Sequence, residues 1–219
     1  MARPSKQLDL QLLASGRALF PDMGCAGLTV RAVTEHAGIQ NSLFHYHFGS
    51  KEKFLEAVLQ QFYEDMFVRL EAPTQYEGPP REHLRAVFYS LALFVRAHRH
   101  FIARVWIDVL AKEPAAMQFY AANAPRHLFL LSSLIGQAQI DEGIADIAPA
   151  QMLTFLLGSV VMPIIFSPGL LDVVKHPAID VAQLQEQFMS DDAIQQRIDL
   201  ALSAFVAVSE NKPKKRSKQ

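Results

Sequence analysis

A chain of 219 residues, half of them hydrophobic, can bury a sizeable core without staples, which excludes a disordered chain and a small disulfide-bound fold. Its single cysteine, Cys25, has no internal partner, and no long apolar core follows the opening MARPSKQ, so a cytoplasmic protein is expected. The net charge of -1 is spread unevenly: Met1 to Phe54 carries six basic and four acidic side chains, Leu55 to Asn211 is acidic, and a tail, Lys212 to Lys218, is basic, which suits a protein meeting a polyanion at one end.

In chain order, Ser5 can cap a first helix in which Leu12, Leu13, Gly16, Leu19, Phe20 and Met23 recur at helical spacing. Pro21 is expected to end or kink it, with Gly24 and Gly27 making the turn. Thr29 caps a second helix over Val30 to Ala37, and Gly38 stands where a helix is expected to have just ended. A third helix runs from near Asn41 to Phe48. Ser50 caps a fourth, with a stripe of Phe54, Leu55, Val58, Leu59, Phe62, Met66, Phe67 and Leu70, which Pro73 stops.

Ala72 to Arg81 (APTQYEGPPR) reads as a loop and as the boundary between a small head and a larger body. Beyond it, Leu84 to Val95 and Phe101 to Leu110 mark two helices with a break at His98-Arg99-His100. A longer helix follows from Pro114 to Glu142, bent at Pro125 and closed by Gly143. Met152 to Leu171 carries no charge over a length that could span a bilayer, but Gly158, Pro163, Pro168 and Gly169 interrupt it and no basic cluster flanks it. After a loop at His176-Pro177, Ser190-Asp191-Asp192 starts a final helix carrying Ile194, Ile198, Leu202, Phe205 and Val206. The last two stretches read as half of a four-helix bundle completed by a second copy, meeting through Leu156, Val160, Ile164, Ile198, Leu202 and Phe205. No stretch alternates with period two, so the fold class expected is all-α.

The third helix carries the chemistry. At about 100° per residue, Phe44 and Phe48 share one side and Tyr46 lies opposite, with Ser42 and Leu43 beside it, His45 and His47 at the edges, and Gln40 and Asn41 at the start. A helix entering a major groove places such residues outward. Asn and Gln can make paired bonds to adenine, Ser can bond to base or phosphate, and Leu43 can pack on a thymine methyl. Tyr46 and the histidines can donate to phosphates, Lys51 adds charge at a helix N-terminus, and Arg31 can grip the backbone across the groove.

These residues carry a resemblance. Thr29, Ala37-Gly38-Ile39, Phe44-His45-Tyr46-His47-Phe48 and Lys51 fall at the offsets of the DNA-binding head of the TetR family of bacterial transcription regulators, and the region from about Ser5 to Phe67 is similar to it. Three positions depart: His45 where the family has tyrosine, Gln40 where it has serine or threonine, and Leu43 where it has a small or polar residue. The resemblance implies a helix-turn-helix domain over 1–50 with its motif at 29–48, a connecting helix over 51–71 and an effector-binding and dimerisation domain over 72–210, while composition alone makes 211–219 a basic, disordered tail. It further implies a dimer on a two-fold double-stranded DNA operator, repressing until a small effector changes the spacing of the heads. The DNA face expected is Thr29, Arg31, Gln40, Asn41, Ser42, Leu43, His45, Tyr46, His47 and Lys51. Phe94, His98, Phe101, Trp106, Phe119, Tyr120, His127, Phe155 and Met162 are candidates to line an apolar effector pocket.

Two other classes compete. A soluble helical enzyme would need a constellation that is absent: there is no phosphate loop, no His-Glu-x-x-His and no paired cysteines, and His45 and His47, two apart on a helix, make a poor chelate. No catalytic residue, metal or cofactor is therefore expected. A membrane-attached helical protein would rest on Met152 to Leu171 alone.

Overall fold

The computed structural model describes residues 4–72, 78–142, 147–171, 173–174, 176 and 178–210. The expected basic tail, Gly143 and the middle of the Ala72 to Arg81 loop lie outside the described residues. Helices α1 (Pro4–Gly27), α2 (Val30–Ala37), α3 (Asn41–Phe48), α4 (Lys51–Glu71), α5 (Pro80–Ala97), α6 (Arg99–Leu110), α7 (Pro114–Glu142), α8 (Pro149–Leu156), α9 (Met162–Leu171), α10 (Val181–Met189) and α11 (Asp191–Glu210) account for the regular structure, with no strand among the described residues. The fold is all-α, as the hydrophobic spacing predicts.

Local signals set most of the boundaries. His98 separates α5 from α6, and Ser50 accepts a bond from the Lys53 N–H at 3.3 Å to open α4. Two signals act differently from expectation. Pro21 sits within α1, and the break falls at Gly24 (φ 62, ψ -172), a backbone conformation that a side chain would strain. A Cβ there would also lie 2.0 Å from Arg104 Nε. The uncharged stretch is not one helix either. A wider π-helical turn, Leu157–Val161, separates α8 from α9, just ahead of Pro163, whose ring cannot donate to the preceding turn.

The chain divides into two compact units, residues 1–68 with 98–125, and residues 69–97 with 126–219. In the first, Leu12, Phe20, Leu28, Val33, Phe44, Phe54, Val58 and Leu59 are fully buried. Phe101 stacks on Phe62 with centroids 4.0 Å apart and meets Phe20 at 4.5 Å, joining α6 to α4 and α1. Where α1 breaks, the Cys25 N–H donates to Asp108 Oδ2 at 2.7 Å, and Arg104 pairs with the other oxygen at 2.8 Å, so a carboxylate 1% exposed is satisfied from both sides. Burial, then the Asp108 hydrogen bond, pushes the Cys25 thiol up to about 12, so it is a packing residue and not a nucleophile.

In the second unit α5 supplies Leu84, Val87, Phe88, Leu91 and Val95 to a core completed by Leu131 and Ile135 of α7 and by side chains of α8, α9 and α11. Arg85 binds Asp199 through two nitrogens, at 2.5 and 3.0 Å, and Arg96 meets Asp191 at 2.6 Å, tying α5 to α11. One expectation is corrected here. Leu156, Val160, Ile164, Ile198, Leu202 and Phe205, read as the face meeting a second copy, are at most 5% exposed within a single chain. The same helices leave Phe155, Leu200 and Phe166 outside instead. Pro149–Ser167 is long and apolar enough to cross a membrane by length and composition, yet its Met152, Leu156, Val160 and Ile164 fill this core.

Candidate nucleic-acid interface

The site begins with two caps. Thr29 is extended (φ -100, ψ 154), and its hydroxyl accepts from the Ala32 N–H at 3.1 Å, which starts α2. Gly38 ends α2 in the left-handed region (φ 67), letting the Ile39 N–H reach the Thr34 carbonyl at 2.9 Å. The chain then turns through Gln40 (φ -71, ψ 142) into α3, with no side-chain bond from Gln40 itself.

On α3 the two sides separate as the helical wheel requires. Phe44 is fully buried, its ring 5.0 Å from Phe54 and 5.6 Å from Phe48, so α3 rests on the start of α4. Opposite it Tyr46 is 80% exposed and Leu43 is 37% exposed, with Ser42 and His45 also outside. The exposed Tyr46 ring and hydroxyl are therefore free to meet a partner laid along this side of α3.

Several expected contact residues have other partners. His47 does not belong to the outer face: its side chain is 5% exposed and its Nδ1 lies 2.5 Å from Asp9 Oδ1, so it packs between α3 and α1. Asn41 Oδ1 receives the hydroxyl of Thr34, a buried residue on α2. Lys51 Nζ donates to the Ala26 carbonyl at 2.8 Å, binding the start of α4 to the end of α1 while two of its ammonium hydrogens remain. Arg31 Nε donates to Glu35 Oε1 at 2.7 Å, but its side chain is 81% exposed. The α4 N-terminus is also engaged internally: the Glu52 backbone N–H and the Ser50 hydroxyl hold the Glu52 carboxyl below the usual carboxylate range, with Lys51 adding to them. His45 Nδ1 lies 3.2 Å from the Gly49 carbonyl, which leaves Nε2 facing outward.

Asp9 and Thr34 are the working residues that spacing did not reveal. Both act through contacts between helices, and only the edge position of His47 on the wheel hinted that it needed a partner.

The nine aromatic, His and Met candidates for an effector pocket divide between the two units. In the first, Phe101 is buried against Phe62 and Phe20, His98 meets Phe62 edge-on at 5.5 Å, Trp106 meets Tyr120 at 5.5 Å, and Phe119 meets Tyr63 at 6.1 Å. In the second, Phe94 is buried under the Arg69 guanidinium, His127 and Met162 are half-buried, and Phe155 is 45% exposed beside Phe205.

Comparison with known proteins meets this site directly. Residues 12–58 match the family described as bacterial regulatory proteins, tetR family, a span that covers α2, α3 and the start of α4. The HTH-type transcriptional repressor KstR2 of Mycolicibacterium smegmatis is 31% identical over 99 residues, covering 45% of this chain and 47% of that protein, so the match spans about half of that relative's length. Among solved structures, the ketosteroid transcriptional regulator KstR2 of Mycobacterium tuberculosis superposes with a TM-score of 0.65 at 18% identity, over 94% of this chain and 96% of that one. AibR, solved with isovaleryl coenzyme A and operator DNA, gives a TM-score of 0.65 at 16% identity, over 91% of this chain and 98% of that one. These two similarities establish a shared fold.

Proposed function

We propose that the chain, whose residues 12–58 match the tetR family of bacterial regulatory proteins, is a member of that family and a ligand-responsive transcriptional regulator, a repressor that binds a two-fold operator as a homodimer. The observation that carries this reading is α3 itself, with Phe44 fully buried and Tyr46 80% exposed on opposite sides of an eight-residue helix. Residues 1–50 act as the reading domain, 51–71 as the connecting helix and 72–210 as the effector-binding and dimerising body. The protein works in the cytoplasm and has no enzymatic role. It releases DNA when a small apolar effector favours the state whose heads do not match successive major grooves, about 34 Å apart.

The DNA face is Ser42, Leu43, His45 and Tyr46, flanked by Gln40, Asn41, Arg31 and Lys51. The dimer forms through the outer side of α8, the π-helical turn that follows it and α11, where Phe155, Ser159, Leu200 and Ala204 line a shallow apolar groove. Because AibR was solved with isovaleryl coenzyme A, acyl thioesters are the first effectors to screen.

The test is a gel shift on the intergenic DNA beside the protein's own gene. Salt-sensitive binding to a two-fold site is expected, and a folded dimer that binds no such site would remove the proposal. Loss of the shift on adding one of the screened thioesters identifies the effector class.

A further inference from the structure

Granted the DNA-binding function proposed above, the rim of the reading face carries less positive charge than its cations suggest. Arg31 and Glu35 lie one turn apart on α2, and Arg31 Nε donates to Glu35 Oε1 at 2.7 Å while the two side chains are 81% and 64% exposed. Both line the surface depression at the α2–α3 turn, together with Thr34, Gln40 and Asn41, so Glu35 stands among the residues expected to meet DNA. Its charge repels a phosphate. Helix stability does not account for the pair: Arg31 is the second residue of α2 and Glu35 the third from its end, so each charge sits at the end of the macrodipole that disfavours it. With the acid N-terminal to the base the same spacing would serve the helix better. Lys51, the other cation of the rim, bonds instead to the Ala26 carbonyl, which has no net charge to set against its own.

We infer that Glu35 is a brake on backbone binding: it cancels the charge of Arg31, so that the pair meets the phosphates of DNA as a neutral unit. A phosphate approaching Arg31 finds a guanidinium already bound to an anion. Displacing Glu35 leaves a carboxylate unpaired beside the polyanion, and sharing the guanidinium leaves the local charge at zero. Neither route adds to counterion release, which follows the positive charge brought to the phosphates. Phosphate contacts carry no sequence information, so the brake lowers binding to every sequence alike and leaves the choice of site to α3.

The experiment follows the affinity of the full-length protein for a mixed-sequence duplex by fluorescence anisotropy, from low to moderate salt. Glu35→Gln is expected to bind roughly fivefold tighter at low salt, the worth of one charge contact in water, with a salt slope steeper by about 0.9. Arg31→Gln is expected to bind more weakly with a slope shallower by a similar amount. The double variant Arg31→Gln/Glu35→Gln, neutral like the pair it replaces, is expected to recover the wild-type slope. Glu186→Gln removes the same charge from an exposed position on α10, in the other compact unit, and is expected to leave the slope unchanged. Four results would each overturn the inference: Glu35→Gln equal to wild type, Glu35→Gln weaker than wild type, a double variant as shallow as Arg31→Gln alone, or Glu186→Gln as strong in effect as Glu35→Gln. Absence of salt-sensitive binding by the wild-type protein to any duplex would instead overturn the DNA-binding function.

Discussion

The hinged pair α2–α3 and the uncharged stretch from Met152 to Leu171 were both legible as helical, but only the first disclosed its surroundings. On α3, Tyr46, Ser42 and His45 oppose Phe44, and a core cannot hold such polar groups unpaired, so the outward side was fixed by chemistry alone. The uncharged stretch is apolar on every side, which states that it is covered without stating by what. Its Leu156, Val160 and Ile164 turned out to be covered by the same chain. Polar patterning thus identifies an interface, whereas apolar patterning identifies only burial.

The sharpest way to break that contrast is at the inner side of α3. Phe44→Ala empties a site that is fully buried between Phe48 and Phe54, and a change of this kind costs about 3–5 kcal/mol. The expected outcome is a head that melts at a lower denaturant concentration and does not bind DNA. Native-like stability would mean that α3 does not rest on α4.

The second unit offers a paired test. Leu156→Ala, fully buried, is expected to lower stability by about 2–5 kcal/mol while the chain remains dimeric. Leu200→Glu, at a position 72% exposed, is expected to leave the fold intact and shift sedimentation from dimer to monomer. The reverse pattern, with Leu156→Ala dissociating the dimer and Leu200→Glu leaving it whole, would restore the interface that the sequence alone suggested.

How far the fold was legible follows from the range of the interactions. Thr29, Gly38 and Ser50 bond to backbone within a few residues of themselves, so their identities announce the helix ends. Cys25 and Asp108 are 83 residues apart, and nothing near either signals the bond that holds the break at Gly24. Helix α10 was missed for a different reason: Val181, Leu184 and Phe188 fall at helical spacing and Asp180 caps the helix by accepting from the Gln183 N–H at 3.0 Å, but the pattern spans only nine residues and buries no side chain. In the site, the wheel fixed the direction of Tyr46 but could not say that Asp9 covers the edge where His47 lies.

Lys51 measures the mixture of structure and function at the rim of the reading face. Its bond to the Ala26 carbonyl predicts that Lys51→Ala costs about 1 kcal/mol of stability, as for an ordinary hydrogen bond. Its remaining donors predict weaker binding to all DNA sequences alike, with a salt slope shallower by about 1 when affinity is followed from low to moderate salt. A change confined to one operator position would instead make Lys51 a base reader.

The smallest effect belongs to His45. With Nδ1 donating to the Gly49 carbonyl, the neutral ring has only an acceptor left at Nε2, and a phosphate oxygen has no hydrogen to give it. Nε2 can donate to the DNA backbone only when the ring carries its second proton. An amide at this position always carries hydrogens to donate, so His45→Gln is expected to tighten operator binding by about 1 kcal/mol, the worth of one neutral hydrogen bond. The two proteins compared by fluorescence anisotropy in one buffer decide the matter: equal affinities would mean that position 45 stands clear of the phosphates, and that the face of α3 is read through Tyr46 and its neighbours without it.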